Sequence, residues 1–113
     1  MPPEALQKGR FSESSDVWSF AVTMWEVLTS GSIPYYDLSD DRAVLEHVLQ
    51  GGRLPRHVIA GECPDSLWAL VMRCWASSAK DRPSFSELVA ALRRIREQRN
   101  KRKQAELQCE VED

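Results

Sequence analysis

Hydrophobic residues are concentrated in one short segment near the start of the chain. Between Val17 and Leu28, nine of twelve residues are apolar, and they cover every face of the helix that this segment predicts, from about Asp16 to Thr29. A helix that is apolar all round has to be surrounded, either by lipid or by protein. Twelve residues span about 18 Å, well short of the ~30 Å hydrocarbon core of a bilayer. The segment is therefore predicted to be the central helix of a protein core.

The rest of the chain shows turn and capping residues at helix-length intervals. They predict one helix from Ser39, as its cap, to Gly51-Gly52, one from Pro64 at its first position to about Ala76, and one opened by the capping box Ser84-Phe85-Ser86-Glu87. No segment alternates convincingly between apolar and polar residues with period two. The predicted fold class is therefore all-α.

Length and composition add bounds on this picture. The 113 residues suffice for one compact domain with a modest core, and the net charge of −2 gives no bulk reason to expect nucleic acid or an anionic membrane as the main partner. No membrane segment or signal peptide is recognisable in the chain. The three cysteines, Cys63, Cys74 and Cys109, fit neither a disulfide framework nor a zinc site. A reduced, intracellular setting is expected.

Charge divides the chain into two parts. Residues 1–92 carry 8 basic and 12 acidic side chains, whereas residues 93–113 carry 7 basic and 5 acidic ones. The basic residues of the second part lie between Arg93 and Lys103 without interleaved aromatic residues, which argues against a nucleic-acid groove. A solvated continuation of the last helix is the favoured interpretation, and a lipid contact or a partner site remains an alternative.

An ordered set of short motifs runs through the chain. It comprises Met1-Pro2-Pro3-Glu4, Ser15-Asp16-Val17-Trp18-Ser19-Phe20, Trp25-Glu26, Pro34-Tyr35, Cys63-Pro64, Cys74-Trp75 and Asp81-Arg82-Pro83-Ser84-Phe85. Together these motifs resemble the lower part of the protein-kinase C-lobe, from the end of the activation segment onward, in the form typical of receptor-like tyrosine kinases. The tyrosine-kinase-like serine/threonine kinases are the alternative group. The resemblance implies a kinase-domain portion at residues 1–97 and a polar, charged tail at residues 98–113.

The resemblance also implies structural roles for particular residues. Glu4 would pair with Arg82, and this ion pair would tie the end of the activation segment to the helical base of the lobe. Asp16 matches the aspartate that hydrogen-bonds the backbone of the catalytic loop. Trp18 lies in the helix that anchors the catalytic and regulatory elements. The resemblance thus explains why the helix is apolar on every face, because the catalytic loop would be among its neighbours.

Further structural residues follow from the same resemblance. Thr23 and Val27 match positions that support the stack of apolar side chains on the adenine side of the ATP site. Trp25 and Trp75 belong to motifs of the family and are expected to be structural. Tyr35-Tyr36 is interpreted as a packed tyrosine at a helix exit, with phosphorylation as the less favoured alternative.

The motifs that carry kinase chemistry are missing from the sequence. It has no glycine-rich loop, Lys–Glu pair, His-Arg-Asp loop or Asp-Phe-Gly motif. His47 and His57 lack any such context and are expected to be solvated. No catalytic, cofactor-binding or metal-binding residue is therefore expected, and the chain alone should be inactive. ATP and Mg²⁺ would be cofactors of a larger parent kinase of which this sequence is a truncated part.

The resemblance implies partners for the chain, and it leaves open whether the parent protein is catalytically active. The expected partners are the remainder of the kinase domain and a protein or peptide substrate, contacted by the loop from Ala5 to Phe11 and the start of the second helix. The expected location is the cytoplasm, free or on the cytoplasmic side of a membrane receptor. The parent would transfer the γ-phosphate of ATP to tyrosine hydroxyls. A non-catalytic pseudokinase remnant or helical interaction module is the alternative.

Overall fold

A computed structural model describes the backbone of residues 2–4 and 12–112, and the side chains as far as residue 108. Its helices are α1 (Glu13–Leu28), α2 (Asp41–Leu49), α3 (Asp65–Cys74) and α4 (Phe85–Glu112), with a short 3₁₀ helix at Ala79–Asp81 before α4. No strand occurs in this part of the chain, and the all-α fold class is confirmed. The substrate-facing loop expected at residues 5–11 lies outside the described residues.

The starts of three helices differ from the sequence-based expectation. The first helix begins at Glu13, three residues before Asp16, because Ser12 takes the cap position with an extended backbone and donates its N–H to Ser15 Oγ at 3.2 Å. In α2 the cap is Asp40, whose Oδ1 accepts from the Ala43 N–H at 2.9 Å, so the prediction of Ser39 is wrong by one residue.

The start and the end of the third helix differ slightly from the expectation. Pro64 is the N-cap of α3 rather than its first helical residue, and α3 ends at Cys74 instead of Ala76. At the start of α4, Ser84 Oγ accepts from the Glu87 N–H at 3.1 Å and its hydroxyl donates to Glu87 Oε1 at 3.3 Å. The Glu87 carboxylate also pairs with Arg73 of α3 at 3.1 Å, which draws it toward the neighbouring helix.

The core is built around one side of α1. Val17, Trp18, Ala21 and Trp25 on this side are at most 3% exposed. They form one cluster with Val48, Leu54, Leu70, Val71, Cys74, Trp75 and Leu88, contributed by the other three helices and the α2–α3 connection. Because α2 and α3, with 9 and 10 residues, are too short to be stable alone, the shared cluster is what holds them in their helical form.

The last helix leaves the core after Ile95. Its residues 96–108 are all exposed, and the helix is continuous through residue 97, where a tail was expected to begin. Two long contacts steady this extension, from Glu62 to Arg99 at 4.0 Å and to Arg102 at 3.9 Å. The division at residue 97 stays a prediction. Among the described residues, no helix is both long and apolar enough to cross a membrane.

Candidate functional site

The centre of the candidate site is the buried guanidinium of Arg82, just after the 3₁₀ helix. Its Nη1 and Nη2 atoms donate to the two carboxylate oxygens of Glu4 at 2.6 and 3.0 Å, and its Nε donates to the Ala76 carbonyl at 2.9 Å. A further bond reaches the Ser14 carbonyl at 3.4 Å. One buried side chain thus ties the N-terminal residues and the start of α1 to the segment that connects α3 and α4.

The close contact between Arg82 and Glu4 affects the protonation of the Glu4 carboxyl. The Arg82 side chain is fully buried, whereas Glu4 keeps some contact with solvent. Hydrogen bonding from Arg82 holds the pKa of the Glu4 carboxyl below its usual value of 4.5, against the opposing effect of partial burial. The two-pronged geometry matches a guanidinium to a carboxylate, and it leaves Glu4 ionised at neutral pH.

Trp18 lies against this pair at the centre of the core. The Cζ atoms of Arg53 and Arg82 each lie 4.9 Å from the centroid of its ring, within the range of a cation–π contact. The Trp18 carbonyl accepts a hydrogen bond from Trp75 Nε1 at 3.3 Å. The Trp18 indole N–H is buried and has no hydrogen-bond partner in the described part of the chain.

Arg53 is a structural residue that the sequence analysis missed. It donates from Nε to the Trp75 carbonyl at 2.8 Å and from Nη1 to the carbonyls of Val48 at 3.1 Å and Gly52 at 2.7 Å. These carbonyls lie at or just beyond the ends of α2 and α3, where a cation is favoured by the helix dipole. Desolvation lowers the pKa of Arg53 from its usual value. A basic residue just after Gly51-Gly52 was the available signal.

The other two expected tryptophans hold neighbouring connections in place. The indole of Trp25 is buried, and its Nε1 donates to the Pro55 carbonyl at 2.8 Å. Trp75 is also buried and meets the edge of Trp68 at a centroid distance of 6.0 Å. Glu4, Arg82, Trp18 and Trp75 are therefore brought together, while Trp25 fixes the α2–α3 connection at the other end of α1.

The remaining expected residues lie on a different side of α1. Asp16, Phe20, Thr23 and Val27 share one face at helical spacing, which we call the open face of α1. Val27 is 72% exposed and Phe20 is 41% exposed, although the Phe20 ring meets the edge of Phe85 at 6.2 Å. Thr23 donates only to the Ser19 carbonyl at 3.3 Å, and the exposed Asp16 carboxylate has no partner within the described ranges.

The site contains no assembled catalytic chemistry in the described residues. No three His, Cys, Asp or Glu side chains there lie close enough to hold a metal ion. His57 is exposed, and burial raises the pKa of the Cys74 thiol to about 11, so that it stays protonated at neutral pH. These residues do not fit an ATP–Mg²⁺ site, and no step through either cofactor is assigned to them. What the described contacts of Arg82, Trp18 and Arg53 do is hold segments of this chain together.

Comparison with known proteins gives consistent matches over the same residues. Residues 1–92 match the family described as protein tyrosine and serine/threonine kinase. Inactive tyrosine-protein kinase 7 of Gallus gallus is 53% identical over 92 residues, which is 81% of this chain and 8% of that protein. Tyrosine-protein kinase Drl of Drosophila melanogaster is 47% identical over 90 residues, 79% of this chain and 14% of that protein.

A third relative extends the comparison to a named receptor. The insulin-like growth factor 1 receptor of Xenopus laevis is 41% identical over 93 residues, 82% of this chain and 7% of the receptor. The chain thus spans only between 7% and 14% of the length of these three relatives.

Proposed function

The chain belongs to the protein tyrosine and serine/threonine kinase family, and from this premise we propose that it forms the structural base of a kinase C-lobe. The membership confirms the resemblance drawn from the motifs, and the relatives carry tyrosine-kinase and receptor names. In the proposed role, the buried side of α1 is covered by residues of this chain. The open face of α1 receives the elements that precede it in a kinase domain.

The observation that carries this proposal is the uneven burial of α1. Val27 is 72% exposed, so its side chain contributes little free energy of burial in this chain. Burying such a side chain fully contributes about 1.5–3 kcal/mol. The Asp16 carboxylate on the same face accepts no hydrogen bond from the residues that the structure describes. Exposed apolar side chains next to this carboxylate are suited to a protein segment that brings both apolar side chains and backbone N–H donors, as the catalytic loop would.

The proposal assigns the chemistry to the whole protein. The parent would transfer the γ-phosphate of ATP, with Mg²⁺, to tyrosine hydroxyls of a protein substrate. This chain would supply the rigid base and part of the substrate-side surface at the start of α2. The matching location is the cytoplasm, free or on the cytoplasmic side of a membrane receptor.

A non-catalytic parent is the second candidate, and one observation favours it. Proteins named inactive tyrosine-protein kinase 7 from Gallus gallus, Homo sapiens and Mus musculus are 53%, 48% and 46% identical to this chain over 92 residues. The structural base formed by this chain would serve a pseudokinase equally well, because Arg82, Trp18 and Arg53 stabilise the fold. A tyrosine-kinase-like serine/threonine kinase is the remaining alternative for substrate class.

The role as a base is tested by the accessibility of α1 in two contexts. Val27→Cys and, as a matched control on α4, Val89→Cys are compared in the 113-residue chain and in the whole protein by alkylation and mass spectrometry. Both thiols should react at similar rates in the chain, because both valines are exposed. In the whole protein the thiol at position 27 should react at least tenfold more slowly. Equal rates there would refute the proposed role.

The two candidate activities are separated by the whole protein's own sequence and chemistry. Intact His-Arg-Asp and Asp-Phe-Gly motifs together with ATP-dependent phosphorylation of a tyrosine peptide support the kinase. Degenerate motifs and no phosphate transfer support the pseudokinase. Phosphorylation of serine or threonine peptides alone would support the third alternative. The purified 113-residue chain should show no ATP binding by calorimetry, and micromolar binding would contradict the assignment.

A further inference from the structure

A cavity of about 360 Å³ lies away from the open face of α1. Its walls come from the C-terminal part of α1, the α1–α2 connection, α2 and the segment after it, and they include Trp25, Tyr35, Leu38, His47, Leu54 and Pro55. The volume is at the lower end of the range of ligand sites, about 300–1,000 Å³. It is large enough for one bulky side chain and its immediate neighbours.

The walls of this cavity are held in place by specific contacts. The Trp25–Pro55 hydrogen bond fixes one wall, and Tyr35 stands in the left-handed region at φ 56° on another. The His47 ring meets the edge of the Tyr35 ring at 6.0 Å and lies directly over Gly52. A Cβ at position 52 would clash with the imidazole, so glycine is what lets His47 line the cavity.

Two polar groups also line the cavity. The Tyr35 hydroxyl and the His47 imidazole have no hydrogen-bond partner among the residues that the structure describes. Burial raises the pKa of the Tyr35 hydroxyl, so that it stays a neutral donor. Apolar walls with a few convergent polar groups are typical of a site that orients what it binds.

Apolar surface continues beyond the mouth of the cavity. Three of its lining residues are strongly exposed for their type: Ile33 at 70%, Tyr36 at 81% and Val58 at 38%. An apolar rim of this kind is typical of a surface that a protein partner covers. A small ligand inside the cavity would leave the rim in water, and a polypeptide would cover both.

Charged side chains of both signs lie in or near the walls of the cavity. The nearby cations are already engaged: Arg42 pairs with Glu46, Arg56 pairs with Asp65, and Arg53 is bound by backbone carbonyls. By contrast, Asp37 in the wall and Asp41 at the start of α2 are exposed and have no ion pair within the described residues. A bound segment with basic residues would complement these two carboxylates.

We propose that this cavity docks an extended segment of a partner protein, which inserts one large apolar or aromatic side chain flanked by lysine or arginine. The inserted side chain packs on Trp25 and Leu54, the rim residues cover its neighbours, and the flanking cations face Asp37 and Asp41. Docking here does not depend on phosphate transfer by the parent.

The test uses three model peptides, acetyl-KKFKK-amide, acetyl-KKAKK-amide and acetyl-EEFEE-amide, titrated into the 113-residue chain. Binding is followed by the NMR signals of the Trp25 indole and the His47 ring. The first peptide should bind and shift both signals, and each of the other two should bind at least tenfold more weakly. Equal binding of the alanine peptide overturns the insertion of a side chain. Equal binding of the acidic peptide overturns the role of the carboxylates.

Matched variants locate the site. Val58→Trp should fill the mouth of the cavity and weaken binding at least tenfold, while Val89→Trp on α4 should leave it unchanged. Asp37→Lys should weaken binding several-fold, with Asp81→Lys as the control for net charge. If Val27→Asp abolishes binding and Val58→Trp does not, the peptide uses the open face of α1 and the proposal fails. If the chain dimerises in sedimentation and only Val58→Trp prevents it, the occupant is a second copy, which also overturns the proposal.

Discussion

Both sides of α1 carry apolar side chains, but their surroundings are opposite. On the buried side, Val17 and Trp18 are at most 1% exposed and belong to the core cluster, and the guanidinium groups of Arg53 and Arg82 lie over the Trp18 ring. On the open face, Val27 is 72% exposed and Asp16 has no side-chain partner within the described residues. Hydrophobicity shows that a residue favours burial, but it does not show which segment covers it.

The polar contacts also differ between the two sides of α1. Arg82 on the buried side is held by a carboxylate and two backbone carbonyls, and it stabilises three segments at once. Asp16, the charged residue of the open face, makes no comparable contact with residues 2–4 or 12–108. The stability of this chain should therefore depend on the buried side of α1 and be almost indifferent to the open face.

The largest expected effect comes from Arg82→Ala. It leaves the Glu4 carboxylate without its cation and the Ala76 carbonyl without its donor, so the free energy of unfolding should fall by about 3–5 kcal/mol. Urea denaturation measures this value. Arg42→Ala is the control, because Arg42 makes only an exposed pair with Glu46 and its loss should cost about 0.5 kcal/mol or less. Similar losses in both variants would mean that the buried pair has no special weight.

A valine on each side of α1 gives the most direct comparison. Val17→Ala removes buried methyl groups and should lower the free energy of unfolding by about 2 kcal/mol. Val27→Ala removes exposed ones and should change it by less than about 0.5 kcal/mol in this chain. Both values come from the same denaturation experiment. A larger loss for Val27→Ala would show that the open face is covered in solution.

The Glu4–Arg82 pair predicts a dependence of stability on pH. Because Arg82 lowers the folded-state pKa of Glu4, the unfolded chain binds more protons in this range and stability rises with pH. The contribution is fully present above pH 4.5, the usual value, and is lost as pH falls through the lower folded-state pKa. Thermal denaturation between about pH 2 and about pH 6 covers this window, because an ordinary glutamate titrates at about pH 4.3. Glu4→Gln should flatten the slope, and an unchanged slope would assign it to other carboxylates.

The smallest effect concerns binding of a hydrophobic dye to the open face. The 113-residue chain should bind the dye through Phe20 and Val27, and Val27→Asp should reduce the fluorescence without lowering the unfolding free energy much. Val89→Asp on α4 is the matched control and should leave the signal nearly unchanged. If the two variants behave alike, the dye does not distinguish the open face.

The sequence predicted the helical architecture well because helix signals are local. A dense run of apolar residues located α1, and glycine and capping residues located the others. The errors concerned which of several neighbouring polar residues takes the cap. Ser39 and Asp40 are both suitable by type, and the extended backbone at Asp40 decides between them. Such a choice depends on the path of the preceding turn, which no residue type specifies.

The candidate site was predictable only in part. The pairing of Glu4 with Arg82 came from the family resemblance, since nothing in the spacing of two residues 78 positions apart indicates contact. Arg53 was missed because its acceptors are backbone carbonyls, which every residue has and no sequence distinguishes. The cavity beside Tyr35 was also invisible, because its walls come from four separate segments.

The sequence by itself determined that this chain is helical, that α1 is hydrophobic on every side and that the motifs are those of a kinase C-lobe. Periodicity, capping and motifs depend on residues that are near one another in the chain, so they can be recognised without a fold. Only the tertiary structure decided which side of α1 this chain covers and where Arg53 and Arg82 find their partners. Burial and paired charge depend on contacts between distant segments, and those contacts exist only once the helices have packed.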